Sequence, residues 1–521
     1  MTITPDNDEP RDVIDAADTP RDRLVQIAIP INTSLTPLQA YAALRSHDSS
    51  GYSYLLESAE KEKRHARFSF VGANPLGVIT VKKREIKVDL FAKANLIDRI
   101  KSNLGEVCEK VTATDHMITG QINTGCDVFD SLRAAIMIGE PIEGIDWGRQ
   151  VFTGGVIGFA AYDCVYYSHL DLKPFQSRIP DAQFALTAET LIFDHLSNRT
   201  YLVKTEELRE DADQREIRAQ IGRRVKEIEE LFAKTTPEDN VEESDSCFVG
   251  CTADKREFEL MVKRAKEHII NGDILQVVLS RRYEIKTRKS ACKLYQKLRK
   301  VNPSPYMYLF EFGNLSIIGA SPETLLTVKD RKVITNPIAG TCPRGRTPEE
   351  DEAHAREMLS NEKERAEHVM LVDLGRNDVR AVAKAGSVVV EDYMSVLKYS
   401  HVQHIESTVT GELRDECDAF DATRAIFPAG TLSGAPKIRA MEIIHNLEEN
   451  ARGVYGGGVG YYCFNGDADF AIVIRTMIKE GNMLSVQAGA GIVADSDPEY
   501  EYNETERKMA AMIEGVLGGL R

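Results

Sequence analysis

The segment that most constrains the fold lies at residues 361–378, which read NEKERAEHVMLVDLGRND and change from charged to apolar. Asn361 is a favourable N-cap, and Glu364 at the third helical position predicts a reciprocal capping box. Glu364 and Glu367 then share a helical face that runs into the apolar residues 369–372, which we expect to be buried. Carboxylates at the mouth of a buried helix repel one another, so a positive group is expected between them.

A second pair of carboxylates lies near the C-terminus. Asp497 and Pro498 predict the start of a helix, in which Glu501 and Glu504 are three residues apart. Two helices with such pairs could together hold Mg²⁺, which prefers carboxylate and water oxygens and keeps open positions for a substrate. Either pair alone is also typical of a solvated first helical turn, where glutamates interact favourably with the helix dipole.

The charge balance of the 521 residues limits the class of partner. The net charge is -16 at pH 7, which argues against a nucleic-acid-binding surface. No apolar run approaches the length of a membrane span, and the acidic N-terminus does not resemble a signal peptide. We therefore expect a cytoplasmic protein that binds neither nucleic acid nor membrane. The odd number of cysteines, nine, indicates reduced thiols.

Composition divides the chain into four parts. Residues 1–21 are predicted to be a disordered acidic tail, and residues 22–234 a first lobe of short strands and helices. Residues 235–251 are polar and acidic over most of their length and are predicted to be a linker. Residues 252–521 form the second part, in which the glycines that indicate function are concentrated.

Glycine-rich strands in the second part are typical of close approach by a ligand or another backbone. Residues 454–462 read VYGGGVGYY. Farther along, residues 470–476 predict an apolar strand that places Arg475 inward, where a buried guanidinium needs a carboxylate from the chain or from a ligand. An ion pair with Asp469 or Glu442 is the alternative.

Two further motifs carry less information on their own. Residues 430–437 read GTLSGAPK before a helix, but Ala435 and Pro436 precede the lysine, which excludes a P-loop. We therefore set nucleotide binding aside. Residues 399–406 alternate in the manner of a strand, with His404 on one face. A histidine in such a position is more often a core residue than a catalyst.

Taken together, these segments resemble the chorismate-utilising enzymes and, among them, the component I subunits of anthranilate synthase. The matching motifs are residues 337–341 (PIAGT), the Glu364/Glu367 helix, residues 430–437 and 455–461, Arg475, residues 489–491 and the Glu501/Glu504 pair. The resemblance implies an α+β fold, a large two-lobed α/β sandwich of mostly antiparallel sheets with outer helices. It also implies a lyase of tryptophan biosynthesis that converts chorismate and ammonia to anthranilate and pyruvate.

The resemblance implies roles for individual residues. Mg²⁺ would be bound by Glu364, Glu367, Glu501 and Glu504, and would reverse the local charge for a dianionic substrate. Glu323 matches the general acid for loss of the C4 hydroxyl, and His404 the residue linked to pyruvate elimination. Thr341 and Thr431 match pocket hydroxyls of the catalytic set. The implied substrate-binding residues are Tyr455, Arg475, Gly489, Gly491, Gln276 and Lys508.

Two positions distinguish the chain from other chorismate-utilising enzymes. Gln276 stands where the water-using isochorismate and salicylate synthases resemble one another in having a lysine base, and glutamine cannot activate water in that way. Ala339 stands where aminodeoxychorismate synthase has a nucleophilic lysine, so ammonia would attack C2 directly. Aminodeoxychorismate synthase component I is the alternative enzyme, and a non-catalytic sensor of tryptophan and metal is the alternative from another class.

The resemblance also implies feedback inhibition and a partner subunit. Tryptophan would contact Glu57, Ser58, Pro305, Tyr306, Met307, Val459 and Tyr461. No glutamine amidotransferase motif is recognisable, so glutamine-dependent activity would require a separate amidotransferase subunit, component II of the synthase. Free ammonia would suffice for the chain alone.

Overall fold

The computed structural model describes most of the chain. The described residues are 23–58, 67–91, 95–136, 142–143, 147–148, 150–208, 214–235, 246–399, 402–514 and 518. The predicted tail, residues 1–21, lies outside them, as do residues 236–245 of the predicted linker. In the part of the chain that is described, no helix combines the length and the apolar character needed to cross a membrane.

The strands are numbered along the described chain. They are β1 Arg23–Ile31, β2 Tyr52–Glu57, β3 Phe68–Ala73, β4 Gly77–Lys82, β5 Glu85–Leu90, β6 Cys108–Ala113, β7 Met117–Ile122, β8 Ile142–Glu143, β9 Gly155–Ala160, β10 Ala182–Thr187, β11 Glu189–Asp194, β12 Arg199–Leu208, β13 Cys247–Cys251 and β14 Gln276–Lys286. They continue with β15 Tyr306–Phe312, β16 Leu315–Ser321, β17 Thr324–Lys329, β18 Lys332–Thr335, β19 Ile338–Pro343, β20 Val389–Val390, β21 Ser395–Lys398, β22 Val402–Glu406, β23 Val409–Glu412, β24 Gly434–Ala435, β25 Gly458–Cys463, β26 Ala468–Ile472, β27 Thr476–Glu480 and β28 Met483–Ile492.

The helices are interspersed with these strands. They are α1 Pro37–Ser46, α2 Asn95–Val107, α3 Val128–Ala135, α4 Val165–Ser168, α5 Gln214–Lys234, α6 Lys255–Ile270, α7 Ala291–Val301, α8 Pro348–Ser360, α9 Glu362–Arg380, α10 Ala419–Ile426, α11 Lys437–Glu448 and α12 Pro498–Met512. Two short 3-10 turns cover Tyr162–Cys164 and Gly430–Leu432.

Most of the strands form two large sheets. Within the described residues the first sheet has 13 strands in the order β13-β14-β28-β27-β16-β15-β2-β3-β11-β12-β1-β8, with β24 paired to β14. The second has 12 strands in the order β20-β23-β18-β17-β26-β25-β9-β10-β4-β5-β7-β6. A third sheet has the order β19-β22-β21. Neighbouring strands are antiparallel except for the β1–β8 pair, so the predicted antiparallel character is confirmed.

The two large sheets pack face to face, and aromatic side chains fill the space between them. Tyr54, Phe70 and Phe310 from the first sheet and Phe159 and Tyr461 from the second belong to one buried cluster. Helices α1, α5, α7 and α12 pack on the outer face of the first sheet, and α2, α3, α9 and α10 on that of the second. Each sheet thus buries both faces, which gives the α+β sandwich with outer helices that the sequence predicted.

The two parts of the chain predicted from composition are not separate in space. Strand β2 pairs with β15 and β9 with β25, so each large sheet combines strands from residues 22–234 and 252–521. The predicted linker, residues 235–251, is wrong at its C-terminal end, because β13 pairs with β14. The residues of β13, CFVGC, are apolar but mostly exposed, so the strand is held by its sheet hydrogen bonds and not by a buried face.

Helix α9 forms where the sequence predicted a helix, with two differences. Asn361 is the N-cap and accepts hydrogen bonds from two backbone N–H groups of the first turn, at 2.9 and 3.2 Å. The reciprocal half of the capping box is replaced, because the Asn361 N–H donates to carbonyls at the end of α8 and the Glu364 side chain lies in a cavity. Val369 is 40% exposed, so the predicted burial of residues 369–372 is wrong at its first position.

Helices α3 and α10 form a reciprocal pair. The segments CDVFDSLRA at α3 and CDAFDATRA at α10 share the same cysteine, aspartates, phenylalanine and arginine. Asp127 caps α3 and Asp418 caps α10. The guanidinium of Arg133 donates to Asp418 at 2.8 and 3.0 Å, and that of Arg424 donates to Asp127 at 2.7 and 3.0 Å. Each helix therefore supplies the arginine that binds the other helix's capping aspartate.

Candidate active site

Two side chains reach the site because the chain changes sheet beside them. Strand β16 belongs to the first sheet and β17 to the second, and Glu323 lies in the connection between them. Strands β26 and β27 make the reverse change, with Arg475 in their connection. The strand predicted over residues 470–476 is therefore interrupted, and Arg475 adopts a left-handed backbone with φ of 49°. The Ala320 N–H donates to the Arg475 carbonyl at 3.2 Å, which holds the two connections together.

Glu323 is a buried carboxyl group with one hydroxyl partner. The Thr431 hydroxyl, in the turn before β24, donates to Glu323 Oε1 at 2.8 Å. Burial raises the pKa of Glu323 to about 7, although Thr431, Arg475 and Lys508 act in the opposite direction. A carboxyl group with this pKa can donate a proton near neutral pH.

His404 lies on β22 with its two ring nitrogens in different surroundings. Nδ1 is 2.8 Å from the Gly340 carbonyl oxygen and 3.1 Å from Thr341 Oγ1. Because a carbonyl only accepts, Nδ1 carries the proton and Nε2 carries a lone pair. Nε2 is buried without a partner among the described residues. Burial lowers the pKa of His404, so the imidazole is neutral and Nε2 can accept a proton.

Arg475 is a partly buried cation that forms no ion pair with the residues the structure describes. The alternative partners are engaged elsewhere: Asp469 accepts hydrogen bonds from Tyr306 and Thr327, and Glu442 pairs with Arg439. Burial lowers the pKa of the Arg475 guanidinium, opposed by Tyr399 and Glu323. An anionic ligand would relieve this desolvation, since guanidinium groups bind carboxylates through paired hydrogen bonds.

The two carboxylate pairs lie on α9 and α12. Burial and the neighbouring Glu367 raise the pKa of Glu364. Burial opposes ionisation of Glu504, but Lys508 and Arg507 outweigh it and lower the pKa. In the described part of the chain, no three His, Cys, Asp or Glu side chains are gathered closely enough to hold a metal ion.

One cavity of about 670 Å³, here called the main cavity, brings the predicted site residues together. Its lining includes all of the predicted catalytic, substrate-binding and metal residues: Glu323, His404, Thr341, Thr431, Tyr455, Arg475, Gly489, Gly491, Gln276, Lys508, Glu364, Glu367, Glu501 and Glu504. Ala339 also lines it. Residues from the first sheet, the third sheet, helices α9 and α12 and the connections between the two large sheets meet there, so the cavity is built by the tertiary fold.

Two cationic side chains that line the main cavity were not predicted from the sequence. Lys363 precedes Glu364 on α9 and helps to stabilise the ionised form of Glu501 on the other helix. Arg507 follows on α12 and pairs with Glu504 at 2.7 Å. Both stand next to predicted ligands in the sequence, which is the one signal that could have identified them. They place positive charge beside carboxylates of both helices.

The geometry of this cavity agrees with comparisons of the whole chain. A family model described as chorismate binding enzyme matches residues 121–514. The chain belongs to the chorismate binding enzymes. The resemblance read from its motifs is thereby confirmed.

Relatives within this family share nearly the full length of the chain. An anthranilate synthase component 1 of Haloarcula marismortui is 47% identical over 97% of this chain and 94% of its own. That of Haloferax volcanii is 45% identical over 98% of this chain and 97% of its own. The crystal structure of anthranilate synthase component I from Streptococcus pneumoniae TIGR4 superposes with a TM-score of 0.69 at 33% identity, covering 95% of this chain and 100% of that chain.

This chorismate binding enzyme has a second cavity of about 370 Å³, which is lined in part by β17, β25 and β26. All of the predicted tryptophan contacts line it: Glu57, Ser58, Pro305, Tyr306, Met307, Val459 and Tyr461. Ser58 Oγ and both amide atoms of Gln150 are buried there without a partner among the described residues. Polar atoms in this condition favour a ligand that can bond to them.

Two carboxylates of the second cavity differ in their partners. The Glu57 carboxylate accepts a hydrogen bond from Tyr295 at 2.7 Å and pairs with Arg299 at 3.1 Å, so the chain satisfies it internally. Asp469, considered only as a partner for Arg475, lines this cavity. Burial raises the pKa of Asp469 to about 6, which a ligand ammonium group would reverse.

Proposed function

We propose that this chain is the ammonia-using component I of an anthranilate synthase, a Mg²⁺-dependent lyase that converts chorismate and ammonia to anthranilate, pyruvate and water. One observation carries the proposal: a single cavity gathers a buried carboxyl group that can donate a proton, an oriented neutral imidazole, two carboxylate pairs and a guanidinium without an ion pair among the described residues. The full-length identity with anthranilate synthase component 1 of other organisms supports it.

The substrate would be held through its two carboxylates. Arg475, which has no internal ion pair among the described residues, would bind the enolpyruvyl carboxylate together with Tyr455 and the backbone near Gly489 and Gly491. A Cβ on Gly491 would lie 2.7 Å from the Gln276 amide nitrogen, so a side chain there would displace the wall. The glycine keeps backbone N–H groups open to an anion.

In the proposed reaction, Glu323 donates its proton to the C4 hydroxyl, which leaves as water while the ammonia nitrogen bonds to C2. Thr431 fixes the orientation of the Glu323 carboxyl group through its 2.8 Å hydrogen bond. The hydrogen on C2 is then removed as the ether bond to the enolpyruvyl group breaks, and the ring becomes aromatic. His404 Nε2 is the lone pair available for that proton, which ends on the departing enolpyruvate to give pyruvate.

Mg²⁺ would be held by Glu364, Glu367, Glu501 and Glu504. The donor set fits this ion in its chemistry because all four are hard oxygen ligands that line one cavity, and because burial and like charge raise the pKa of Glu364. Since no three of the described carboxylates are gathered closely in this structure, water would complete the coordination, as Mg²⁺ prefers. When bound, the ion would supply positive charge for the ring carboxylate and for the negative charge that develops during elimination.

Two side chains support ammonia as the nucleophile. Gln276 donates from Nε2 to Glu367 Oε1 at 3.4 Å, and an amide cannot act as the base that activates water. Ala339 carries no amine to attack the substrate. Aminodeoxychorismate and isochorismate are therefore disfavoured as products.

The second cavity would bind tryptophan as a feedback inhibitor. Its aromatic and apolar wall suits an indole ring, and Asp469 offers a carboxylate for the ammonium group. A glutamine amidotransferase subunit, component II, would supply ammonia in the cytoplasm. Free ammonia would replace it in a test of this chain alone.

The test is to incubate the purified chain with chorismate, MgCl₂ and an ammonium salt at mildly alkaline pH, and to identify the products by chromatography. We expect anthranilate and pyruvate in equal amounts, and none after chelation of the metal. Aminodeoxychorismate as the product would overturn the specificity argument. Tryptophan binding without any turnover would favour the sensor alternative.

A further inference from the structure

Arg452 lies just outside the main cavity, in the segment between α11 and β25. It is 3% exposed and forms an ion pair with Glu448 at the end of α11, with Nη2–Oε1 and Nε–Oε2 distances of 2.6 and 2.8 Å. No predicted role involves either residue. A buried ion pair of this kind is weak evidence for stability, because desolvation offsets its attraction.

The other N–H groups of Arg452 bind two separate parts of the cavity wall. Nη1 donates to the carbonyl oxygen of Leu432, and Nη2 donates to that of Val278, each at 2.7 Å. Leu432 follows Thr431 in the turn that positions the Glu323 carboxyl group, and Val278 is on β14 near Gln276. The guanidinium thus joins the turn and the strand.

A third part of the wall contacts the same guanidinium through its aromatic ring. The carbon atom at the centre of the guanidinium lies 5.9 Å from the ring centroid of Tyr455 and 4.6 Å from that of Tyr162. The partner carboxylate extends the connection, because Glu448 Oε1 accepts from the Ser280 backbone N–H at 2.8 Å and from its hydroxyl at 3.0 Å. Strand β14 is therefore held at two points.

We propose that Arg452 is a positioning residue for the reaction, acting through Thr431 and Tyr455 to fix the general acid and the substrate carboxylate relative to β14. The proposal rests on the function proposed above. The planar guanidinium has five donors in a fixed fork and lies between aromatic rings, which an ammonium group cannot reproduce. Lysine at this position would keep the charge but lose the simultaneous hold on the strand, the turn and the ring.

The chain offers a matched control in Arg281, a second buried arginine. It is 1% exposed, pairs with Glu506, donates to the carbonyl of Ala253 at 3.1 Å and lies 4.7 Å from the ring of Tyr283. Unlike that of Arg452, the Arg281 side chain has no hydrogen bond, ion pair or ring contact with a residue lining the main cavity among the described residues. Arg281→Lys therefore tests the cost of losing a buried guanidinium away from the site.

The experiment compares wild type, Arg452→Lys and Arg281→Lys in the ammonia-dependent reaction, with kcat and KM for chorismate, the pH profile and the thermal midpoint. We expect Arg452→Lys to lower kcat by about 10- to 100-fold, since small misplacements of reacting groups cost this much, with a smaller change in KM. Arg281→Lys should destabilise the fold but leave kcat within about twofold of wild type.

The pH profile gives a readout that a purely structural role would not change. Thr431 lowers the pKa of Glu323, and the charged groups that face Glu323 are Arg475 and Lys508, with Asp378 across a small neighbouring cavity. If the turn moves in Arg452→Lys, the Thr431 hydrogen bond weakens and the alkaline limb of kcat/KM shifts to higher pH. Arg281→Lys should leave this limb in place.

Several outcomes would overturn the proposal. A wild-type kcat in Arg452→Lys would do so, as would an equal loss of kcat in both lysine variants or an unchanged alkaline limb. If Arg452→Lys fails to fold, Glu448→Gln replaces it in the test, because glutamine keeps an acceptor for Arg452. We expect Glu448→Gln to show a smaller loss of kcat and the same shift of the alkaline limb. A wild-type pH profile in Glu448→Gln would also refute the role of Arg452. A wild-type chain that makes no anthranilate would instead refute the proposed function.

Discussion

The main and second cavities lie on neighbouring residues, Glu323 and Thr324, but are lined by different chemistry. Charged side chains from α9, α12 and the connections between the sheets surround the main cavity, whereas aromatic and apolar side chains form most of the second, with Asp469 as a cavity carboxylate not paired to a cation in the described residues. Proton transfer and binding of a dianion require charge that the fold must desolvate and hold in place. Recognition of an amino acid requires shape and few polar contacts.

The linings of the two cavities come within one residue of each other at the start of β17. Glu323 faces the main cavity, and the next residue, Thr324, faces the second, where its hydroxyl is 3.0 Å from that of Tyr306. On β26, Ala471 pairs with Thr324 and also lines the second cavity. A shift of Thr324 caused by a ligand in the second cavity would therefore reach Glu323, the proposed general acid, in the main cavity.

The largest expected effect is the loss of kcat on replacing Glu323, without a change in tryptophan binding. Glu323→Gln removes the proton donor and should lower kcat by about 100- to 10,000-fold. Tryptophan binding, measured by calorimetry, should stay unchanged because the side chain does not face the second cavity. Glu480→Gln, at the exposed end of β27, is the control and should retain full activity. Near wild-type turnover by Glu323→Gln would remove Glu323 from the mechanism.

Mg²⁺ binding should depend on Glu367 of α9 and not on Glu362 of the same helix. Glu367→Gln replaces a proposed Mg²⁺ ligand and should weaken Mg²⁺ binding at least about tenfold in calorimetric titrations with chorismate present. Glu362→Gln changes an exposed glutamate of the first turn on the same helix and should have no effect. Equal Mg²⁺ affinity in the two variants would contradict the assignment of Glu367.

The pH dependence should reflect the raised pKa of Glu323, which is about 7. The proton-donating form predominates below this pH and declines about tenfold for each unit well above it. At a fixed concentration of free ammonia, kcat/KM for chorismate should fall accordingly on the alkaline side. A profile that is flat up to pH 9 would show that another group supplies the proton.

A substitution in the second cavity should remove tryptophan inhibition and leave catalysis intact. Ser58→Arg places a long charged side chain where the Ser58 hydroxyl is buried, and should reduce tryptophan inhibition at least about tenfold through loss of binding. Ammonia-dependent activity should remain within about twofold of wild type. Ser197→Arg, in an exposed turn, is the matched control. Retained inhibition in Ser58→Arg would place the inhibitor elsewhere.

The smallest expected effect is that of Thr324, which lines the second cavity next to Glu323, on tryptophan inhibition. Thr324→Val removes the hydroxyl contact with Tyr306, worth about 1 kcal/mol, and should weaken inhibition about fivefold beyond any change in tryptophan affinity. Thr327→Val also removes a hydroxyl from the second cavity, where it donates to Asp469 at 3.1 Å, but lies farther from Glu323. Its effects on binding and inhibition should be equal. If Thr324→Val changed tryptophan binding and inhibition equally, Thr324 would not couple the two cavities.

The sequence predicted the local features of this site better than its assembly. The caps at Asn361 and Asp497 and the carboxylate spacing on α9 and α12 are set by neighbouring residues, so short-range patterns revealed them. The break at Arg475 was missed because the chain changes sheet there, which only the tertiary fold determines. The contacts of Arg452 to carbonyl oxygens leave no side-chain signature at the accepting residues, and no local pattern could reveal them.

The interleaving of strands in both large sheets has a consequence for how the chain is made. The partners of β2 and β9 are β15 and β25, so the first 234 residues cannot complete either sheet while the rest is still being synthesised. Their strand edges stay unpaired during that interval, and unpaired edges promote aggregation. We therefore expect the two fragments produced by dividing the chain near residue 234 to expose unpaired strand edges and to aggregate more readily than the whole chain.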